Sequence, residues 1–592
     1  MKKSILFIIL TVLTLGIFRP VHAQAASQKL PSGTDRSQIG QKIQDYVKEH
    51  EKTTAGMETA VFDTDGTIYR GNFGYVDREN KVKADDSSVF EWGSVTKLTI
   101  WVSVMQLWEE GKINLEEDIR TYLPEGFLRN LRYDKPITML DLMNHQAGFD
   151  EAPLYMQGGK SLKELLSDYQ PIQSFEPGTT TAYSNYGAGL ASYIVERISG
   201  QSYVDYVHEH IFQPLGMDKT AILPDLSDNA YVQKKRKEDK GYDAQGKLLG
   251  EAIFEVGLYP VGRATGTLDD MQKFAQALLS RKTLFSRPET WTTLYTASLT
   301  YPGTDMARNA HGFWTNEYGV TVLGHGGNTA GFTSRIMLDL ENGIGYVVMA
   351  NQAREENYNF ELPELVFGKR KTASAETQKE FSPGYYRTLR TFNQGPLSIF
   401  QMLVSPTTYL KRPADDQRLP GNFWTLYQNQ GQTRIAVAVA DFEKVPDLDV
   451  FKNYIVLGLG ALGILYALIL LLTNLLLGAY RLIFRKKQKA PARTWKVWNL
   501  LTAAAILAVP GHLFLTLLAT DATDLSGYAP WRYMVFAGLG ILLTVAAILP
   551  LFRKSKEKLS KGRVALTVLT SLSALAIVAN ILYWSLYQWW VL

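Results

Sequence analysis

Read by the spacing of its apolar positions, the chain changes character twice. Residues 1 to 23 begin Met-Lys-Lys, run apolar from Ile5 to Phe18 and end Val21-His22-Ala23 before Gln24, the charged, apolar and small-residue order of a cleaved secretory leader. At the other end, four apolar stretches near 454–480, 497–518, 533–551 and 564–586 are each long enough to cross a bilayer as a helix. Between these ends the periods are those of a folded domain. Helical spacing covers 37–50, 95–110, 137–144, 185–199, 202–210 and 268–279, and strand-like runs cover 57–63, 67–75, 319–325, 332–340 and 344–350. Asp63-Thr64-Asp65-Gly66 and Glu341-Asn342-Gly343 supply hairpin turns. The strands group at the two ends of this region, so the pattern predicts an α/β (α+β) domain: one antiparallel sheet assembled from both ends, with a helical region inserted.

A chain of 592 residues is too long for one core. The expected order is a leader at 1–23, a polar segment at 24–36, a main domain at 37–355, a charged linker at 356–380, a small β-rich unit at 381–450 and a membrane region at 451–592. The small unit contains the hairpin-like runs 422–427 and 434–439 around Gln430-Gly431. It is too short to bury much core alone, and is expected to pack on the main domain or the membrane end.

Charge changes the picture. The formal net charge is +4, but 481–496 holds seven Lys or Arg with no acid, and 553–563 holds six against Glu557. Setting those runs and the leader lysines aside leaves roughly ten net negative charges, which argues against nucleic acid as a partner. The basic runs lie between apolar stretches, and positive loops stay inside. Residues 24–450 are therefore expected outside the cell membrane on a multi-pass anchor in the lipid bilayer. The chain has no cysteine, which rules out disulfides and thiolate chemistry.

Three short motifs could carry chemistry. Ser94 and Lys97 stand one helical turn apart and share a face, so a desolvated, neutral lysine could take the serine proton. The plain alternative is an N-cap serine beside a solvated lysine. Tyr183-Ser184-Asn185 follows a turn; the phenol could relay a proton and the amide could hold a carbonyl or the lysine, or both could make local loop bonds. His325-Gly326-Gly327 precedes Asn328 at a strand end, where small residues could admit substrate backbone and backbone N–H groups could serve an oxyanion. A bulge with a buried histidine reads the same way. No G-x-S-x-G elbow, metal-ligand spacing or cofactor motif appears.

Taken in order, these three motifs resemble the beta-lactamase-related serine hydrolases, which include class C beta-lactamases, D-alanyl-D-alanine carboxypeptidases, D-aminopeptidases and some esterases. The hairpin around Asp65-Gly66 and Gly74-Tyr75-Val76-Asp77, the segment Leu142 to Gly148 containing His145, and Gln213-Pro214-Leu215-Gly216-Met217 extend the resemblance over about 38–355. It implies a transpeptidase-like fold with Ser94 opening the central helix. Ser94 would form an acyl-enzyme, Lys97 would assist its deprotonation and Tyr183 would act as base or relay. Asn185, His325, Gly326 and Gly327 would position substrate, and the N–H groups of Ser94 and Asn328 would form the oxyanion hole, with no cofactor and no metal. His325 stands where the penicillin-binding branch carries lysine, a departure known in the peptidase and esterase branches.

The resemblance implies a membrane-bound peptidase or amidase cleaving D-amino-acid-containing peptides, with removal of an acyl-D-amino-acid cap from a secondary metabolite as a narrower possibility. Small esters and beta-lactams are the alternative substrates, and a non-catalytic receptor for cell-envelope peptides is the alternative function. Oligomeric state is open. The pocket walls are expected from 146–175 and 228–263.

Overall fold

The structure, a computed structural model, describes residues 28–591 apart from 53, 152–158, 169, 250–256, 372–379, 394, 400–407, 411–422, 486–492, 520–529 and 553–559. The expected leader and most of the two basic runs lie outside the described residues.

The strands in chain order are β1 Gly56–Asp63, β2 Thr67–Asp77, β3 Val82–Lys83, β4 Phe90–Glu91, β5 Thr220–Ala221, β6 Thr265–Gly266, β7 Leu299–Thr300, β8 Ala307–Ala310, β9 Phe313–Glu317, β10 Thr321–Asn328, β11 Thr333–Asp339 and β12 Ile344–Ala350. Nine of them form one antiparallel sheet in the order β3-β2-β1-β12-β11-β10-β9-β8-β7. The pairing of β1 with β12, Thr59 opposite Val348, closes the sheet from the two ends of the domain. β4, β6 and β5 make a second, three-stranded sheet.

Alternation of side chains along a strand gives the large sheet two apolar faces. Ala60, Phe62, Ile336, Leu338, Val347 and Met349 pack toward the inserted helices, chiefly Lys97–Glu109, Asn185–Ser199 and Leu268–Ser280. Met57, Val61, Met337, Tyr346 and Val348 pack against the helix Ile39–His50 and residues Tyr358, Leu362, Val366 and Phe367. This second contact corrects the expected linker at 356–380. Its first part is charged in sequence, yet Leu362, Val366 and Phe367 are buried, because three apolar side chains on one helical turn cover a sheet face that would otherwise meet water.

A third, five-stranded sheet follows, from β13 Gly384–Thr388, β14 Thr408–Leu410, β15 Thr425–Asn429, β16 Gln432–Ala436 and β17 Asp441–Val445, in the order β14-β13-β17-β16-β15. Its own core is small, built on Tyr386, Trp424, Ile435 and Val437. The unit is fixed to the main domain by buried polar contacts. Arg308 and Asp441, each about 2% exposed, meet at 2.9 Å, Asp441 also accepts from the Thr181 backbone N–H at 2.9 Å, and Asn393 bonds both carboxylate oxygens of Asp150. Asp441→Ala should therefore cost about 3–5 kcal/mol by leaving a buried guanidinium uncompensated. Thermal unfolding should show the loss, and the Arg308→Ala/Asp441→Ala double variant should recover much of it.

The helices Asp447–Ile483, Arg493–Ala519, Pro530–Phe552 and Lys561–Tyr583 complete the described chain. By length and composition, all four could cross a membrane. They pack through Ala467, Ala503, Phe536, Ala574 and Ile577, while Leu462, Leu475, Leu501, Ile541 and Leu572 point outward and are more than half exposed. An outer surface this apolar suits lipid and not water. The β-rich unit rests on this bundle through Phe392 and Ile399 and a bond from Ser398 Oγ to the Trp584 carbonyl.

Candidate active site

Ser94 lies in the single 3-10 turn Gly93–Thr96, directly before the buried helix Lys97–Glu109. The turn is held from three sides. Thr96 Oγ1 donates to the Gly93 carbonyl and accepts from the Ala264 N–H, the Trp92 N–H donates to the Ala264 carbonyl, and Ser334 Oγ donates to the Trp92 carbonyl at 2.6 Å. Gly93 has φ +50, and a Cβ there would come within 2.6 Å of the Asn328 backbone nitrogen. The turn thereby lies directly against the end of β10, where glycine alone leaves enough room.

Lys97 is fully buried. Its Nζ lies 3.1 Å from Ser94 Oγ and donates to the Val261 carbonyl at 2.6 Å. Burial, reinforced by the nearby charge of Arg390 and opposed by Glu151, holds the amine well below the usual lysine range, so it is the neutral form that faces the serine. With one N–H taken by Val261, the nitrogen lone pair is available to Ser94.

Tyr183 closes the other side. Its ring centroid is 5.0 Å from Lys97 Nζ and 4.7 Å from the Arg390 guanidinium, and the His145 ring stacks on it at 4.3 Å. His145 is oriented in turn by Trp314, stacked at 5.5 Å, and by accepting the Ser184 N–H at its Nδ1. Ser184 caps the helix Asn185–Ser199 through the Gly187 N–H, which sets Asn185 at the first helical position, on the cavity wall.

β10 contributes an open edge. Its pairing with β9 stops at Gly324 opposite Trp314, so the β9 side of residues 325–328 carries no strand partner and can take an extended substrate backbone. His325 is buried, and its Nδ1 lies 2.6 Å from the Gly326 carbonyl. A carbonyl only accepts, so Nδ1 carries the proton, and Nε2, which has no hydrogen-bond partner among the described residues, is left as an acceptor. Burial pushes this imidazole down to about 3, against the opposing bond to Gly326. His325 thus offers a neutral acceptor where a lysine would offer a cation.

Ser94, Tyr183, Asn185, His325, Gly326 and Asn328 all line one cavity of about 780 Å³, although they come from segments separated by up to 234 positions. Gly327 differs from its expected place: the position of its missing side chain is filled by the Trp92 carbonyl oxygen, so it serves the stapling of β10 to the serine turn and not contact with substrate. The expected walls also need correction. Among the described residues of 146–175 and 228–263, only Val261 and Gly262 line the cavity. The walls come instead from Tyr301, Trp314 and the β9–β11 region, from 354–371, and from Arg390, Phe423, Ala438 and Val439 of the second unit. Arg390, paired with Glu151 at 2.7 Å, carries no local signal in sequence. Its role depends on docking of a separate unit.

Comparison with known proteins gives a consistent result. A family model described as beta-lactamase matches residues 39–368. PbpX of Bacillus subtilis (strain 168) is 28% identical over 247 residues, which cover 41% of this chain and 59% of that protein. Unguisins hydrolase ungD' of Aspergillus campestris (strain IBT 28561) is 27% identical over 331 residues, 51% of this chain and 59% of that one. The chain therefore spans less than two thirds of the length of these curated relatives. Among solved structures, the octameric penicillin-binding protein homologue from Pyrococcus abyssi aligns with a TM-score of 0.49 at 18% identity, covering 69% of this chain and 100% of that one.

Proposed function

The chain belongs to the beta-lactamase family, and on that premise we propose that it is a membrane-anchored serine hydrolase that cleaves peptide or amide bonds beside D-amino acid residues outside the cell. One observation carries the reading: a buried lysine, held neutral by its surroundings, lies 3.1 Å from the hydroxyl of Ser94 on the wall of a cavity large enough for a small peptide.

The chemistry follows from the geometry. A substrate lying along the free edge of β10 brings its carbonyl carbon to Ser94 Oγ. Lys97 takes the hydroxyl proton as the new C–O bond forms, and the N–H groups of Ser94 and Asn328 receive the negative charge on the carbonyl oxygen. Tyr183, whose ring lies 5.0 Å from Lys97 Nζ and lines the same cavity as Ser94, passes the proton to the leaving nitrogen. The C–N bond breaks, and water then releases the acyl group from Ser94 by the same steps in reverse.

The neutral His325 Nε2 accepts a hydrogen bond from an N–H or O–H of the substrate, and so favours an amide N–H or a hydroxyl over a free carboxylate at that point. The D-configuration rests on the resemblance of the three motifs to D-aminopeptidases and D-alanyl-D-alanine carboxypeptidases. The outward orientation rests on the basic runs at 481–496 and 553–563, and the anchor on the four apolar helices.

The test is mass analysis of the detergent-solubilised chain after exposure to a fluorophosphonate, penicillins, esters, and N-acyl-D- and N-acyl-L-aminoacyl amides. An adduct mapped to the peptide carrying Ser94, with D-amides turned over fastest, is the expected result. Fastest turnover of esters would move the chain to the esterase branch. Absence of any adduct or turnover would leave it as a binder of envelope peptides.

A further inference from the structure

Six cavity-lining residues lie beyond residue 368, where the family match ends: Arg370 and Lys371, and then Arg390, Phe423, Ala438 and Val439 of the β-rich unit. The last four are built into the site. The Val439 carbonyl accepts the backbone N–H of Tyr183 at 3.1 Å, and Ala182 and Ala440 form an antiparallel bridge. From the other side, the buried Arg308 donates to the carbonyls of Ala438, at 3.2 Å, and Val437, at 2.5 Å. The segment 437–440 is thus clamped between the backbone that carries Tyr183 and a fixed guanidinium. Phe423 meets the Tyr301 ring edge-on at 4.8 Å, and Tyr301 and Trp314 are themselves cavity walls.

The surface these groups make is apolar: Tyr301, Trp314, Phe423, Ala438 and Val439. It adjoins Tyr183, the group that hands a proton to the departing atom, so it bounds the leaving-group side of the cavity. The contrast with the rest of the wall is sharp. Arg335, Arg354, Arg370 and Lys371 line the same cavity with Glu91 and Glu317, and an aromatic and aliphatic face set in so charged a wall suits a ligand that is apolar in part.

We propose that the β-rich unit forms a leaving-group subsite, in which Phe423 and Val439, with Tyr301 and Trp314, receive an apolar side chain or ring attached to the nitrogen or oxygen released from Ser94. This rests on the serine acyl-transfer reading and names the class of substrate for it: an acyl compound whose leaving group is bulky and apolar. It also makes the second unit a specificity element, since Phe423 and Val439 lie outside the family-matched stretch.

The proposal is tested with the full chain in detergent and a substrate series of one fixed acyl group, with leaving groups graded from methyl to naphthyl. A fluorophosphonate serves as control, because its leaving group is fluoride and does not reach the subsite. The parent is expected to favour the large apolar leaving groups in kcat/KM. Val439→Trp, which fills the subsite, should lower kcat/KM for the naphthyl compound by about tenfold or more relative to the methyl compound. Phe423→Ala, which cannot overfill the site, should raise KM for the naphthyl compound alone. A parent that labels with fluorophosphonate but shows no dependence on leaving-group size, or variants that alter all members equally, would overturn the subsite while sparing the serine hydrolase reading. A parent that does not label at all overturns both.

Discussion

Exchange of Lys97 for methionine is expected to slow acylation of Ser94 by about 10³-fold, the usual worth of a positioned general base, while the chain still folds. Methionine is similar in length and apolar, and it enters a site that already excludes water: Lys97 is fully buried. Stopped-flow labelling with a fluorophosphonate reads the rate directly. The same residue fixes the pH dependence. Because burial, with Arg390 nearby, holds the amine well below the usual 10.5, the parent should acylate at nearly the same rate from pH 7 to pH 10. A rate that climbed tenfold per unit over that range would mean that the amine is charged at neutral pH, and would remove Lys97 as the base.

Stability should move with pH in the matching direction. An unfolded Lys97 keeps its proton up to about 10.5, whereas the folded one has lost it at lower pH. Between the folded value and 10.5 the unfolded state therefore binds more protons, and stability rises as pH rises. Lys97→Met has no such group, so the parent should gain on the variant between pH 7 and pH 10, by up to about 1.4 kcal/mol per unit. Thermal unfolding of the two proteins side by side measures the gap. A gap that stays constant with pH would show that the folded and unfolded lysines titrate alike.

The second large effect is expected at Gly327. An alanine Cβ there would overlap the Trp92 carbonyl oxygen and come within 2.7 Å of Ser334 Oγ. Neither atom can withdraw cheaply, since Ser334 Oγ is bonded to that same carbonyl. β10 must instead move away from the turn that holds Ser94. Gly327→Ala should cost about 1–3 kcal/mol of stability as an overpacked position. It should cost more in function: a shift near 1 Å between Ser94 and Asn328 separates the two oxyanion donors and is worth about 10²-fold in acylation rate. Gly66→Ala is the control, because a Cβ at Gly66 meets nothing within 4 Å and should change neither quantity. Equal labelling rates for Gly327→Ala and the parent would show that the staple between β10 and the serine turn is not needed for catalysis.

What local sequence can reveal depends on how far apart the cooperating residues are. The strands β1, β2, β10, β11 and β12 and the helices Ile39–His50, Lys97–Glu109, Asn185–Ser199 and Leu268–Ser280 follow from periodicity and turn residues within one segment. The four apolar helices follow from composition alone. Ser94 and Lys97 are one turn apart, so their pairing is a property of helix geometry. Their chemistry is not: a lysine at that spacing is equally at home in water, and only the packing of the helix Lys97–Glu109 against the helix Asn185–Ser199, with Arg390 nearby, pushes the amine well below its usual range.

The errors have the same origin. Residues 357–367 looked like a linker because charged residues surround Leu362, Val366 and Phe367, and the apolar face of the sheet that buries these three is built from strands distant in the chain. The walls expected from 146–175 and 228–263 were placed by composition, whereas the observed wall depends on how the unit 384–445 docks.

By itself, then, the sequence determined the strands and helices of the main sheet, four helices apolar enough to cross a membrane, and a serine–lysine pair with its tyrosine and histidine–glycine companions. Only the tertiary structure decided that Lys97 is dry and neutral, that Gly327 is a staple and that Arg390, Phe423 and Val439 belong to the site. Burial and docking arise between residues hundreds of positions apart, and no local pattern encodes the dielectric or the neighbour that a side chain will finally meet.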